Sequence, residues 1–265
     1  EMVRLTSRRS RVQLVITARE ADGRLRDVTH RATVRSNKPG LVSVHNGRVS
    51  PSADGVDGQA KLQVVWQGET VEVPVEVSGQ KRPDPIAFKY ETLAAMTKQG
   101  CNAGSCHGSP EGKGGFSLSL FAFDPVHDTE SLVRGGLNRR VNVFAPLESL
   151  MLKKPLLRVP HVGGKRLRPT DAAFDILKRW ITEGAHPDHD GAPDCEKIVV
   201  HPGPIRVLAQ PDATQQLSVL AHFTDGTIRD VTPLATFDTS HRDVATIDAD
   251  GRVTGRSRGQ AAITV

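Results

Sequence analysis

The chain of 265 residues is poor in aromatic side chains, with one Tyr, two Trp and eight Phe, and it holds only three cysteines. Three thiols cannot staple a scaffold with several disulfides, so stability has to come from small Val, Leu, Ile and Ala cores. No stretch approaches the ~18 consecutive apolar residues of a membrane-spanning helix, which excludes such a span from this segment. An excess of one charge is missing too: 35 Lys+Arg stand against 30 Asp+Glu, a net charge of +5. Without a basic block or an aromatic-lined basic stripe, that balance argues against a nucleic-acid partner. Disorder is excluded, because aliphatic residues recur throughout and the charges are mixed in sign. There is no Ser-His-Asp order, paired-carboxylate signature or phosphate-binding loop, so substrate turnover is not assigned. The length leaves room for two or three domains.

What the chain does contain is a repeat. Asp22-Gly23-Arg24-Leu25-Arg26-Asp27-Val28-Thr29 returns as Asp225-Gly226-Thr227-Ile228-Arg229-Asp230-Val231-Thr232. At the same offset Ala32-Thr33 falls on Ala235-Thr236, and Leu41-Val42-Ser43-Val44 on Val244-Ala245-Thr246-Ile247. After a one-residue slip Gly47-Arg48-Val49 matches Gly251-Arg252-Val253, and Gly58-Gln59-Ala60 then matches Gly259-Gln260-Ala261. Each copy alternates apolar and polar residues between Gly/Asp turns, as in Leu14, Ile16 and Ala18 before the hairpin signal Asp22-Gly23. Short strands at such spacing predict an immunoglobulin-like β-sandwich. The second copy opens on Ile198-Val199-Val200, which has no counterpart before Glu1, and stops at Val265, the match of Val64. The expectation is a piece of a longer polypeptide with further domains. The repeated phrase resembles the bacterial immunoglobulin-like group 2 family over residues 1–79 and 196–265, which implies export.

Residues 80–195 differ in character. Gln80-Lys81-Arg82-Pro83-Asp84-Pro85 is a linker by composition. Phe88, Leu93 and Met96 predict a helix over 86–99 that stops at Gly100, and Phe174, Leu177 and Ile181 predict a second over 171–184. Between them lies Cys101-Asn102-Ala103-Gly104-Ser105-Cys106-His107. Two thiols followed directly by an imidazole suit covalent haem attachment, in which Cys101 and Cys106 form thioethers and His107 ligates the iron. The usual spacing is Cys-x-x-Cys-His, and two extra residues can loop out at Gly104. Three other readings stay open: a zinc site completed by His161, a Cys101–Cys106 disulfide, or two buried thiols beside a surface His. The basic run Lys153, Lys154, Arg158, Lys165, Arg166 and Arg168, with no acid from 149 to 170, reads as a solvated face or as a docking surface for an acidic partner.

Gly100 to Gly108, Gly114-Gly115-Phe116-Ser117-Leu118-Ser119-Leu120-Phe121, Ser149-Leu150-Met151-Leu152, Val159-Pro160-His161-Val162-Gly163-Gly164 and Leu177 to Ala185 together resemble planctomycete-type cytochrome c domains. The resemblance covers most of 86–187. It implies two immunoglobulin-like sandwiches (1–79 and 196–265) flanking a mainly α, cytochrome c-like domain (80–195). It further implies haem c, one-electron transfer with a redox partner protein, and a periplasmic or cell-envelope location. The distal position carries Pro160-His161, so bis-imidazole iron is expected, with Met151 as the alternative ligand. Phe116, Leu118, Leu120, Phe121 and Trp180 are candidates for an apolar haem wall. An open distal site would instead suit a gas sensor or peroxidase-like centre, and a middle domain folded around zinc or a disulfide would suit a non-redox adhesin. Cys195 stands alone and reads as a structural thiol.

Overall fold

Alternating small aliphatic residues bury one face of each strand and wet the other, and this pattern builds most of the chain. The computed structural model describes residues 2–52, 55–209 and 211–265. They divide into two compact units, one of residues 1–84, 193–233 and 237–265, the other of residues 85–192 with 234–236.

In the first unit the N-terminal repeat is a sandwich. One sheet has the order Val3–Leu5, Glu69–Val77, Gly58–Trp66, Thr33–Ser36, with the first pair parallel and the others antiparallel. A second sheet runs Val12–Gln13, Arg48–Pro51, Val42–His45. Along Gly58–Trp66 the side chains of Ala60, Leu62 and Val64 point inward while Lys61, Gln63 and Val65 face solvent. The inward set meets Val42 and Val49 of the other sheet and Val3, Leu5, Val75 and Val77 of its own. The C-terminal repeat pairs Cys195–His201 with Ser218–Phe223 and Ile228–Asp230, and sets Thr214–Gln216, Arg252–Gly255 and Ala245–Ile247 in a second sheet. Its smaller core is centred on Leu217, Ala245 and Val253.

The two copies share their turn chemistry. Gly23 (φ +85°) and Gly226 (φ +77°) occupy the left-handed corner of the same hairpin, which a side chain enters only with strain. The copies also grip each other reciprocally. The Gln13 N–H donates to Asp230 Oδ2 at 2.6 Å, and the Gln216 N–H donates to Asp27 Oδ2 at 2.8 Å. Gln13 and Gln216 are equivalent positions, as are Asp27 and Asp230, so the joint has an internal two-fold relation. Each aspartate is held by its own repeat: Asp27 Oδ1 accepts the Thr29 N–H and Asp230 Oδ1 the Thr232 N–H. Thr29 and Thr232 hydroxyls in turn accept the Ile16 and Val219 N–H groups. The motif Asp-Val-Thr therefore ties its own hairpin and caps the partner repeat.

The second unit corrects the expectation of a mainly α domain. Both expected helices form, as a π-helical turn Phe88–Thr92 running into Leu93–Lys98, and as Ala172–Thr182. The latter, with 11 residues, is the longest helix among the described residues. Between them only short helical pieces occur, such as Pro125–Val133 and Leu150–Lys153, and turns and loops make up most of the segment. The reason is local. Gly112, Gly114, Gly115, Gly136 and Gly164 take positive φ, as do Phe121, Ala122, Leu137, Asn138 and Leu157, and each such residue breaks a helical run. Among the described residues, those in strands outnumber those in helices, and no substantial helical domain is formed.

What order the unit has is anchored on Trp180. Its ring lies 5.2 Å from that of Phe88, and its indole N–H donates to the His186 carbonyl at 2.8 Å. Leu93, Met96, Leu132, Leu152, Leu167 and Ile181 complete the core. The returning chain caps the first helix from a distance: Asp188 carboxylate oxygens accept the Phe88 and Lys89 N–H groups at 2.6 and 2.8 Å. Glu183 accepts the Ile86 N–H at 2.8 Å. Carboxylates at a helix N-terminus satisfy donors that have no intrahelical partner.

Candidate functional site

The segment after Lys98 closes on itself through its backbone. Cys101 N–H donates to the Met96 carbonyl, Cys106 N–H to Ala103, and His107 N–H to the Cys101 carbonyl at 2.9 Å. Gly108 lies so close to the Asn102 carbonyl that a Cβ there would collide with it. Asn102 is buried and its amide donates to Thr97 Oγ1 at 2.9 Å, which pins the loop to the first helix. Cys101 and Cys106 carry free, half-buried thiols. Burial pushes the Cys101 thiol up to about 11; the neighbouring Cys106 adds to the shift and Arg166 opposes it. The charge of Arg166 thus acts on Cys101 from the loop that carries His161.

That loop brings the two expected iron ligands, His107 and His161, close together. The rings of His107 and His161 are 6.4 Å apart between centroids with an interplanar angle of 16°. His107 Nδ1 lies 2.9 Å from the Phe116 carbonyl oxygen and His161 Nδ1 lies 2.8 Å from that of Gly164. A carbonyl only accepts, so Nδ1 carries the proton in both rings, which leaves Nε2 as the nitrogen able to bind a metal. Burial, the largest cause, pulls the His107 pKa below the ordinary imidazole value, and His161 and Arg140 act in the same direction. His107 is therefore neutral, as a metal-ligating imidazole has to be.

Gly163 and Gly164 shape the His161 turn. A Cβ on Gly163 would press on the imidazole, and the Gly164 N–H closes the turn onto the His161 carbonyl at 2.9 Å. Arg166 Nε donates to the Gly163 carbonyl at 2.8 Å, and buried Leu167 anchors the loop in the core.

Other candidate residues are used differently. Met151 is half-buried on Leu150–Lys153 and packs against the core of the second unit. Trp180 and Leu118 are core residues, whereas Phe116 packs against His107 with centroids 4.5 Å apart and the rings tilted by 45°. Leu120 and Phe121 are 48% and 65% exposed, and Leu120 lies next to Gly104 of the cysteine loop. Cys195 begins an edge strand of the first unit, with its thiol toward the Lys197 carbonyl. Among the described residues no three His, Cys, Asp or Glu side chains gather as a cation site, so the four-ligand zinc set is not assembled. Two partners escaped the sequence reading. The Phe116 carbonyl is a backbone group, and Arg140 has no motif to mark it.

The comparisons with known proteins bear on the scaffold. Residues 200–265 match the family model of the bacterial Ig-like domain (group 2). The match takes in most of the C-terminal repeat, including the Asp225–Thr232 phrase and the Asp230 side of the reciprocal joint. No curated protein matches the chain. The matched residues lie in the C-terminal repeat, and Cys101, Cys106, His107 and His161 lie outside them. Among the described residues no helix is long and apolar enough to cross a membrane.

Proposed function

We propose that the chain carries haem c and transfers single electrons, with Cys101 and Cys106 as the thioether attachment points and His107 and His161 as the axial ligands. The observation that carries this reading is the pair of imidazoles, near-parallel at 6.4 Å, each with Nδ1–H tied to a carbonyl. An iron held by both imidazoles would bind Nε2 of each, the nitrogen that the carbonyl bonds leave unprotonated. The donor set fits that arrangement without a change of tautomer. When bound, the group would supply a one-electron exchange at its iron.

The chain's own residues supply binding and orientation. The Phe116 and Gly164 carbonyls hold the rings and raise their basicity as ligands. Exposed Leu120 and Phe121, beside the cysteine loop, offer apolar surface that a macrocycle would cover. The basic run from Lys153 to Arg168 suits an acidic redox partner protein. Two imidazoles favour a lower reduction potential than a His/Met pair. Bacterial Ig-like domains are typical of extracellular and cell-surface proteins, which agrees with the exported location that covalent haem attachment requires. On this reading residues 1–79 are a second member of the same group, supported by the reciprocal bonds they share with the C-terminal repeat.

The test is spectroscopic. The chain, exported by a host with haem-attachment machinery, is expected to show a Soret band, to keep its haem through acidified acetone, and to gain about 616 Da. His161→Ala is expected to lose the low-spin spectrum. Colourless protein of unmodified mass would overturn the proposal and leave a non-redox spacer or adhesion module.

A further inference from the structure

The 113–116 turn that presents the Phe116 carbonyl to His107 is itself held by one side chain. Lys113 and Phe116 pair across Gly114 and Gly115, both at positive φ, so the turn has little stiffness of its own. Arg140 braces it. Its Nη2 donates to the Gly115 carbonyl at 2.7 Å, its Nη1 donates to the Ser131 carbonyl at 2.7 Å, and its guanidinium lies 4.5 Å over the Phe116 ring. The same ring packs against His107, with centroids 4.5 Å apart. Gly135 and Gly136 line the guanidinium so closely that a Cβ on Gly135 would collide with Nη1. The fork of Arg140 therefore spans the last turn of Pro125–Val133 and the turn that orients His107. Only a planar, multi-donor cation does this; a lysine offers charge without the fork.

We infer that Arg140 is the positioning residue for the proximal imidazole: through Gly115 and Phe116 it fixes the carbonyl that selects the Nδ1–H tautomer of His107 and so leaves Nε2 as the nitrogen that would bind a metal. The inference rests on the haem reading for its purpose but not for its geometry. A fixed positive charge behind His107 also favours the reduced, less positive iron, so loss of Arg140 lowers the reduction potential.

The test uses the full chain in two states. In the haem-free protein, long-range nitrogen–proton NMR of His107 reads the tautomer. Wild type is expected to be in the Nδ1–H form, and Arg140→Leu to raise the ratio of Nε2–H to Nδ1–H roughly fivefold, the worth of one hydrogen bond. Gly135→Ala displaces the guanidinium without removing it and is expected to reproduce that change, which guards against misfolding of the Arg140→Leu chain. Arg140→Lys is expected to leave the tautomer shifted while keeping the potential of the loaded protein near wild type. An unchanged His107 tautomer in Arg140→Leu and Gly135→Ala would overturn the inference. Failure of wild type to take up haem would overturn the functional reading alone, because the tautomer measurement needs no haem.

Discussion

Replacing Asp27 by alanine should open the joint between the two repeats before it unfolds either of them. Asp27 is 7% exposed and accepts three hydrogen bonds: from the Thr29 N–H at 3.0 Å, the Thr29 hydroxyl at 2.5 Å and the Gln216 N–H at 2.8 Å. Alanine leaves two buried backbone donors without an acceptor, at about 1–3 kcal/mol each. Assigning ~2 kcal/mol to Gln216 alone corresponds to roughly 30-fold faster exchange of that amide. Native-state hydrogen exchange by NMR reads it directly and does not assume that a two-unit chain unfolds in one step. Because Gln13 and Asp230 form the mirror-related bond, the Gln13 amide is expected to speed up as well. Amides inside Gly58–Trp66, in the core of the first sandwich, are expected to keep their rate. Asp27→Asn retains one acceptor oxygen but turns an amide toward a donor, so it should fall between wild type and alanine. Gln216 exchanging faster while Gln13 does not would refute a joint that opens as one piece, and no change at Gln216 would refute the bond's role altogether.

Burial raises the Asp230 carboxyl above its ordinary value. The folded state therefore binds the proton more tightly than the unfolded one, and this group's contribution, complete below the unfolded pKa, is lost as pH rises through the folded pKa. Urea midpoints of wild type against Asp230→Asn across that range should show wild type losing ground as pH increases; a difference flat with pH would contradict the shift. In the haem-free chain, Cys101 should be alkylated about a hundredfold more slowly near neutral pH than an ordinary thiol, since burial lifts its pKa from 9.0 to about 11. Peptide mapping after iodoacetamide treatment checks this, and reaction of Cys101 at the rate of a free thiol would sink it. Gly108→Ala should disrupt the 101–108 loop by driving a methyl into the Asn102 carbonyl, with a loss of covalent haem at least as large as that caused by His107→Ala; normal haem content would show that the loop can yield.

The reach of sequence reading differs between the two units. The repeated Asp-Gly turns and the alternation along Gly58–Trp66 made sandwich strands legible, because burial of one face imposes a period of two, whereas Leu14 and Ile16 fall between strands. Phe88, Leu93 and Met96, and Phe174, Leu177 and Ile181, made the two core helices legible in the same way, with a helical period. The stretch from Gly108 to Arg168 carries neither period. Its shape depends on glycines at positive φ and on backbone bonds such as Leu118 N–H to the His107 carbonyl at 2.7 Å, and the expectation of a mainly α domain failed there. Cys101, Cys106 and His107 stand out in the sequence as a cluster, whereas the carbonyl partners and the arginine brace do not, because backbone acceptors have no sequence signature.

Taken alone, the amino-acid order determined the repeat, the aliphatic cores, and the thiols with the imidazole beside them, since each follows from spacing along the chain. The tertiary structure decided that the His161 ring lies 6.4 Å from that of His107, that each ring sets Nδ1 against a carbonyl, and that Asp27 and Asp230 each serve the other repeat. The first and last of those outcomes join residues tens to hundreds of positions apart, and only chain reversal through loops and packed cores can bring such groups within hydrogen-bond or ring-contact distance.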